Sequence, residues 1–272
     1  MTQWTFLNGE FVEEEKTVLS FRDLSFLRGY GVFDFLRLIG QTPLFLEDHL
    51  DRFFYSAKGL HLPVPFHRDE IKTAIFELIE RNNLTDTGIR LSLTGGHSED
   101  GFNIGSPNFI VSQHSFTSPT EMQVKNGIRL LSYPYQRPLP EFKSIDYQMA
   151  IWLQPERIRQ NADDILYVKD GLISECPRSN FFLMTENKTI VTPVRNALAG
   201  ITQKKVIAMA RQHFAVEQRP VSYEEIFTAR EAFITSTTKQ ILPVAQIDEK
   251  RFSHTSVAQH LLHLFRSAYG CR

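Results

Sequence analysis

Two residues with reactive side chains stand out in the second half of the chain. Lys143 begins Lys-Ser-Ile-Asp-Tyr, between a proline-punctuated loop and a segment that favours a helix, and Glu175 begins Glu-Cys-Pro-Arg-Ser-Asn-Phe-Phe. A lysine amine can bond covalently to a carbonyl carbon, and reactive groups are often held where an irregular segment meets a regular one. A carboxylate between two apolar strands should be partly buried and needs a cation or several donors. Lys143 could therefore carry a covalent cofactor that Glu175 tunes.

Both residues also have simpler interpretations. Most lysines are solvated surface charges. Taken alone, Glu175 is better interpreted as a loop carboxylate paired with Arg178, although a protonated pyridine nitrogen would also serve as the cation. The two residues alone leave these alternatives open.

The first part of the chain predicts a small α/β domain. The pair Asn8-Gly9 tolerates the positive backbone angles of a tight turn and predicts a hairpin. Apolar residues recur at three and four residues from Leu46 and again over 69–82, which predicts two helices. Strands are predicted at 32–39, 89–93 and 108–112. This domain is expected to span residues 1–114, and the aperiodic, polar segment that follows predicts a linker at 115–122.

The rest of the chain, residues 123–272, predicts a larger domain that carries the lysine. It contains a strand at 128–133, a helix running to about residue 160, and hairpins around 170–171 and 186–188. A helix at 202–213, a strand at 231–235 and a closing helix at 256–269 complete it. This order suits two α/β-type domains with a cleft between them, which is a usual place for a small-molecule site.

The composition excludes several classes of protein. The chain has 272 residues, 42% of them hydrophobic, and its formal net charge is -1, so nothing favours nucleic acid or an anionic membrane as a partner. Only two cysteines are present, so a disulfide framework is not expected, and the reducing cytoplasm is the expected location. Neither a signal peptide nor a membrane-spanning segment is predicted, and no metal site is expected.

Several stretches, taken in order, resemble the class IV aminotransferases, the fold-type IV family that uses pyridoxal 5′-phosphate. They are Gly31-Val-Phe-Asp-Phe-Leu-Arg, His49-Leu-Asp-Arg-Phe-Phe-Tyr-Ser-Ala, the Lys143 segment, Glu175 with Asn180-Phe, Leu198-Ala-Gly-Ile-Thr and Ser236-Thr-Thr. The resemblance covers almost the whole chain. It implies an α+β fold with two α/β-type domains, as in the D-amino-acid and branched-chain aminotransferases.

The resemblance also implies roles for individual residues. Lys143 would bond to the cofactor aldehyde, and Glu175 would keep the pyridine nitrogen protonated. The phosphate would be bound by Arg52, by the amides of Ile201 and Thr202 at a helix start, and by Thr237, while Tyr147 would contact the phenolic oxygen and Asn180 would reach the cofactor.

Without the resemblance, these residues have ordinary interpretations. Arg52 could form an ion pair with Asp48 one turn earlier. Thr202 could be a helix cap, and Tyr147 could be a core aromatic. Asn180 and Thr237 could each satisfy the end of a strand.

The substrate is expected to be a D-amino acid with an atypical carboxylate site. The separation of Lys143 from Glu175, and Lys-Ser-Ile at the lysine, resemble the D-amino-acid branch, whereas the branch's usual Arg-x-His trap is absent from the loop 94–99 and Phe33 replaces its tyrosine. The expected reaction links D-glutamate or D-alanine with 2-oxoglutarate or pyruvate in a homodimer. A branched-chain L-amino-acid transaminase and an aminodeoxychorismate lyase of the same fold are the alternatives, and a non-enzymatic relative of the fold is a further one that Lys143, Glu175 and Arg52 together argue against. The candidates for substrate binding are Arg28, Phe33, Arg90, Arg178 and Thr238.

Overall fold

The computed structural model describes residues 2–271, which fold as two units. The first unit extends to Phe116 and also includes Phe142–Asp146. The second unit comprises Thr117–Glu141 and the chain from Tyr147 onward. The polypeptide therefore leaves the first unit, returns to it for one short segment, and leaves it again.

The first unit is an antiparallel sheet with helices on one face. The strand order is β2-β1-β6-β5-β3-β4. The strands are β1 (Trp4–Leu7), β2 (Glu10–Glu13), β3 (Gly31–Ile39), β4 (Thr42–Pro43), β5 (Gly88–Thr94) and β6 (Phe109–His114), and the helices are α1 (Leu24–Arg28), α2 (Leu46–Gly59) and α3 (Arg68–Asn82).

The core of this unit forms where β3 and its neighbours face α2 and α3. Val32, Leu36 and Leu38 alternate along β3, so they point to the same face of the sheet and are fully buried there. Asp34 lies in the same series and is also fully buried, which makes it an exception in an apolar core. The predicted turn at Asn8 and Gly9 is confirmed, because both residues have positive φ angles, 51° and 106°.

The second unit is built on a mixed sheet with the order β13-β12-β11-β15-β16-β7-β8-β9-β14. In addition, β10 pairs with β11 and β17 pairs with β16. The strands are β7 (Ile128–Pro134), β8 (Asp164–Lys169), β9 (Leu172–Ile173), β10 (Glu175–Cys176), β11 (Ser179–Met184), β12 (Thr189–Thr192), β13 (Ala215–Gln218), β14 (Val221–Ser222), β15 (Glu231–Ser236), β16 (Gln240–Ile247) and β17 (Lys250–Arg251). The helices are α4 (Glu121–Asn126), α5 (Gln148–Trp152), α6 (Gln154–Arg159), α7 (Ile201–Ala210), α8 (Glu225–Thr228) and α9 (Ser256–Tyr269).

Every residue of β11 is buried, so this strand lies at the centre of the second unit. Its alternate residues Phe181 and Leu183 belong to the main apolar cluster, while Phe182 stacks on Phe233 of β15 at 4.7 Å between ring centroids. Because β10 and β11 are joined by a two-residue turn, Glu175 and Asn180 are placed opposite each other. The central strand therefore fixes the backbone of both residues.

Two expectations differ from the structure. The helix predicted to run to residue 160 is divided into two short helices, α5 and α6. The first turn of α6 contains Pro155. Lys143 was expected in the larger domain, but its segment, Phe142–Asp146, packs with the first unit. Within residues 2–271, none of the helices combines the length and the apolar composition needed to cross a bilayer.

Candidate active site

Backbone hydrogen bonds attach the Lys143 segment to the start of β3. Phe33 donates its N–H to the carbonyl of Lys143 at 3.0 Å, and Ile145 donates its N–H to the carbonyl of Gly31 at 3.0 Å. The N–H of Lys143 itself donates to Oγ of Ser56 on α2, also at 3.0 Å. A short edge pairing therefore fixes the lysine backbone, although the segment has no strand pattern of its own.

The lysine amine lies against an aromatic ring that also contacts an arginine. Nζ of Lys143 is 4.5 Å from the centroid of the Phe33 ring, and Cζ of Arg90 is 4.0 Å from the same centroid. Phe33 is 7% exposed, and cation–π contacts of this length are attractive. The structure thus brings three of the predicted residues together: a reactive amine, a ring and a guanidinium that could bind a carboxylate.

Arg52 is fixed by a buried carboxylate on β3. Its Nε donates to Oδ2 of Asp34 at 2.8 Å and its Nη2 donates to Oδ1 at 2.8 Å, which makes a bidentate pair. Nδ1 of His49 lies 2.7 Å from the same Oδ1. His49 and Arg52 are three residues apart on α2 and so share a face of the helix. Arg52 therefore forms an ion pair with Asp34, a partner that was not considered from the sequence.

The charges in this cluster follow from its burial. Burial alone would raise the pKa of Asp34, but the Arg52 guanidinium and His49 outweigh it and hold the pKa of this carboxyl well below its usual range. Burial also lowers the pKa of His49, against the opposing effect of Asp34. The cluster therefore combines an ionised carboxylate with a guanidinium, and burial opposes a charge on the imidazole of His49.

In the second unit, both oxygens of the Glu175 carboxylate accept hydrogen bonds. Nε of Arg137 donates to Oε1 at 2.7 Å, and the N–H of Leu198 donates to Oε2 at 2.9 Å. Burial alone would lower the pKa of Arg137, but the charge of Glu175 outweighs it and raises the pKa. The partner is thus Arg137 and not Arg178, which lies exposed in the turn between β10 and β11. Glu175 is buried and has both a cation and a further donor beside it, as a carboxylate between two apolar strands requires, while its role toward a cofactor stays a prediction.

Asn180 connects Glu175 to the start of α7. Its Nδ2 donates to the carbonyl of Leu198 at 2.7 Å, so this amide satisfies a loop carbonyl. A Cβ on Gly200 would lie 1.9 Å from Oδ1 of Asn180, so a larger residue at this position would force the Asn180 amide to move. Gly200 is also the N-cap of α7, whose first residue is Ile201. The prediction that Thr202 is the cap was therefore wrong, because Thr202 lies inside the first turn, where amides lack intrahelical acceptors.

The other predicted residues lie at defined places in the fold. Tyr147 is half-buried at the N-cap of α5 and is close enough to influence the charge of Arg137. Thr237 and Thr238 form the turn between β15 and β16. Arg28 is exposed at the end of α1 and donates to the carbonyl of Leu27 at 3.0 Å.

Sequence reasoning missed the residues that hold the charged groups in place. Four such residues were not selected: Asp34, His49, Arg137 and Leu198. Asp34, Arg137 and Leu198 each contact a residue that was selected, and His49 contacts Asp34. A signal existed for Asp34, because an aspartate among apolar strand residues needs a buried cation. Nothing comparable marked Arg137, which lies in a proline-rich loop without periodicity.

Solved structures and curated proteins similar to this chain were compared with it. The crystal structure of the branched-chain amino acid aminotransferase of Escherichia coli has a TM-score of 0.92 and is 24% identical, covering 100% of this chain and 96% of that one. This likeness confirms the predicted fold, fold type IV.

Among curated proteins, a putative branched-chain-amino-acid aminotransferase of Methanocaldococcus jannaschii is 29% identical, covering 93% of this chain and 91% of its own length. A D-alanine aminotransferase of Bacillus licheniformis is 26% identical, covering 89% of this chain and 87% of its own length. An aminodeoxychorismate lyase of Bacillus subtilis is 28% identical, covering 92% of this chain and 89% of its own length. The family model for amino-transferase class IV matches residues 31–247. The chain belongs to the class IV aminotransferase family.

Proposed function

We propose that this protein is a transaminase that moves an amino group between a D-amino acid, such as D-glutamate or D-alanine, and a 2-oxo acid, such as 2-oxoglutarate or pyruvate. The cofactor of the family is pyridoxal 5′-phosphate. The observation that carries the proposal is the Phe33 ring with the amine of Lys143 and the guanidinium of Arg90 against it. It supports the proposal because an amine is a group that could move a proton and a guanidinium is one that could bind a carboxylate.

The chemistry of the donor set fits pyridoxal phosphate. We assign the aldehyde to the amine of Lys143 and the phosphate to Arg52 and to the first-turn amides of Ile201 and Thr202, because guanidinium groups and helix starts both suit phosphate. We assign the ring nitrogen to Glu175. In this assignment Thr237 adds a phosphate donor, Tyr147 contacts the phenolic oxygen, and Asn180 acts through Leu198. The remaining candidates, Phe33, Arg28, Arg178 and Thr238, are assigned to the substrate.

Each of these residues has a defined task in the reaction. Bound pyridoxal phosphate supplies a carbon that takes up the substrate nitrogen and a ring that withdraws electrons. Once the substrate nitrogen has displaced it from the cofactor, the amine of Lys143 would be free to take the proton from the substrate α-carbon and to deliver it to the cofactor. The carboxylate of Glu175 keeps a proton on the ring nitrogen, and Arg90 orients the substrate through a carboxylate. The protein thus orients the substrate and holds the protons in place, while the cofactor withdraws the electrons.

The D-configuration is supported by the separation of Lys143 from Glu175 and by the D-alanine aminotransferase relative. A branched-chain L-amino-acid transaminase is the second candidate, favoured by the relative in Methanocaldococcus jannaschii. A lyase that releases pyruvate from aminodeoxychorismate is the third, favoured by the relative in Bacillus subtilis. All three activities use the same lysine chemistry, so only the rates with different substrates can discriminate among them.

We expect the cofactor spectrum to change faster with D-glutamate than with L-glutamate, L-leucine or aminodeoxychorismate. Because a charge-assisted contact to a carboxylate is worth roughly 1.5–3 kcal/mol, Arg90→Ala should slow the reaction with D-glutamate by about tenfold or more. Stopped-flow absorbance of the purified protein measures both effects. Arg251→Ala, at an exposed position on β17, is the matched control and should leave the rates unchanged.

Other outcomes of this measurement reassign the protein. Faster reaction with L-leucine would place it among the branched-chain enzymes. Release of pyruvate from aminodeoxychorismate would make it the lyase. An unchanged rate with D-glutamate in Arg90→Ala would remove Arg90 from the substrate site without affecting the reaction type.

We also propose that the active form is a homodimer that uses an apolar surface of the first unit. Exposed apolar side chains lie on residues 18–26 and on the loop 95–106, which are joined because Ser98 donates its N–H to the carbonyl of Arg22 at 3.1 Å. Exposed apolar patches of this kind mark protein interfaces. Arg28 lies beside this surface, 3.7 Å from where a Cβ of Gly101 would be. Sedimentation velocity should give a dimer at assay concentration, and an active monomer would contradict the proposal.

A further inference from the structure

The contacts of Arg137 restrain both its own side chain and the carboxylate of Glu175. While Nε donates to Oε1 of Glu175, Nη2 donates to the carbonyl of Pro140 at 2.7 Å. The side chains of Arg137 and Glu175 are 11% and 6% exposed. A guanidinium with donors fixed at two places loses its rotational freedom, and so does the carboxylate that it contacts. The pair is therefore a rigid element of the second unit.

The donors around Glu175 also select its charged form. A carboxylate can only accept hydrogen bonds, whereas a protonated carboxyl group must donate one. Both oxygens of Glu175 already face N–H donors, from Arg137 and Leu198. A proton on either oxygen would have to displace or crowd a donor, and it would also leave the guanidinium without its counter-charge in a buried place. The local structure thus opposes protonation of Glu175.

This matters because, in the function proposed above, Glu175 shares a proton with the ring nitrogen of the cofactor. The proton can lie on the nitrogen, leaving a carboxylate, or on the carboxyl group, leaving a neutral ring. Only a protonated ring withdraws electrons strongly from the substrate carbon. A buried carboxylate without a cation would tend to take the proton, since burial disfavours the charged form.

We infer that Arg137 is a positioning residue that keeps this proton on the ring nitrogen by holding Glu175 as an oriented carboxylate. It acts through Glu175 and does not need to touch the cofactor or the substrate. The inference rests on the proposed function, because it assigns the ring nitrogen to Glu175. A merely structural role for Arg137, such as holding Pro140, would leave the position of the proton unchanged.

The experiment uses enzyme loaded with pyridoxal phosphate labelled with ¹⁵N in the ring, because the ¹⁵N resonance distinguishes a protonated from an unprotonated nitrogen. We expect Arg137→Gln to move the resonance toward the unprotonated position and to lower kcat by about tenfold or more. Arg137→Lys, which keeps the charge, should retain the protonated resonance. Arg159→Gln is the matched control, because Arg159 is an exposed arginine of the same unit that pairs with Glu156.

Glu175→Gln separates this inference from the proposed function. If that variant leaves the resonance unchanged, Glu175 does not face the ring nitrogen, and the assigned site fails together with the inference. If Glu175→Gln moves the resonance and Arg137→Gln does not, only the inference is overturned. In the Glu175→Gln background, adding Arg137→Gln should have little further effect on kcat or on the resonance, because the two residues act as a unit. Should Arg137→Gln fail to fold, loss of the protonated resonance in Arg137→Lys would overturn the inference.

Discussion

Lys143→Ala should lower turnover by at least about a thousandfold, because it removes the only group assigned to move the substrate proton, and general acid–base catalysis alone contributes about 10²–10⁴-fold. The variant should still bind pyridoxal phosphate, since the phosphate and the ring nitrogen are assigned to other residues. Turnover would be measured with a saturating amino donor and an excess of cofactor. Added methylamine should restore part of the activity, because it can replace the lost amine.

The identity of the reactive lysine can be tested without any variant. Borohydride reduction of the loaded protein followed by peptide mapping should find the cofactor on Lys143. For the turnover measurement with Lys143→Ala, the matched control is Lys16→Ala. It removes an exposed lysine paired with Glu13 and should change turnover little. A label on another lysine, such as Lys239 beside Asp164, would refute the assignment of the active site.

Asp34→Asn should lower the free energy of unfolding of the cofactor-free protein by about 3–5 kcal/mol at pH 7. The substitution keeps the shape of the side chain but leaves the guanidinium of Arg52, which is 11% exposed, without its carboxylate. Breaking a buried ion pair by removing one partner costs about this amount. Urea unfolding, followed by fluorescence, measures the loss. Asp51→Asn on the same helix as Arg52 removes an exposed pair with Arg68 and should cost less than about 1 kcal/mol.

The effect of Asp34→Asn should depend on pH in a defined direction. The pKa of Asp34 is held below its usual range in the folded protein, so the unfolded chain takes up the proton first as the solution is acidified. The stabilisation is then complete above the unfolded-state pKa of about 3.9 and is lost as the pH falls below it. The two proteins should therefore differ most at neutral pH and converge in acid. Equal stability at pH 7 would mean that Arg52 has another adequate anion in the chain.

Periodicity predicted the elements well, because most of them bury one face. The helix at Leu46–Gly59 and the strand at Gly31–Ile39 show the repeats of 3.6 and 2 residues that an apolar core imposes. The division after Leu153 was not predictable in the same way, because both short helices there are largely exposed and therefore lack a strong apolar period. Local patterns also could not predict that Phe142–Asp146 would pair with β3, since that pairing depends on the tertiary structure.

Site residues could be predicted from the sequence where the chemistry needs one particular residue type. A lysine, a glutamate and an arginine in motif positions were sufficient to select Lys143, Glu175 and Arg52. The residues that orient them were harder to find, since an ion pair such as Arg137 with Glu175 joins a loop to strand β10, which is distant in sequence. Asp34 was also missed, although a signal for it existed, because a charge within an apolar strand requires a buried cation.

The pairing of Phe142–Asp146 with β3 has a consequence for how such chains can recombine. Consider a hybrid gene in which two relatives are joined between residues 116 and 117. One parent would supply the first sheet and α2, with Asp34 and Arg52, while the other parent would supply the segment with the reactive amine. The new chain would then have to form hydrogen bonds between a lysine segment and a strand edge of different ancestry. The two units are therefore poor modules for exchange, and the lysine segment should be inherited together with β3.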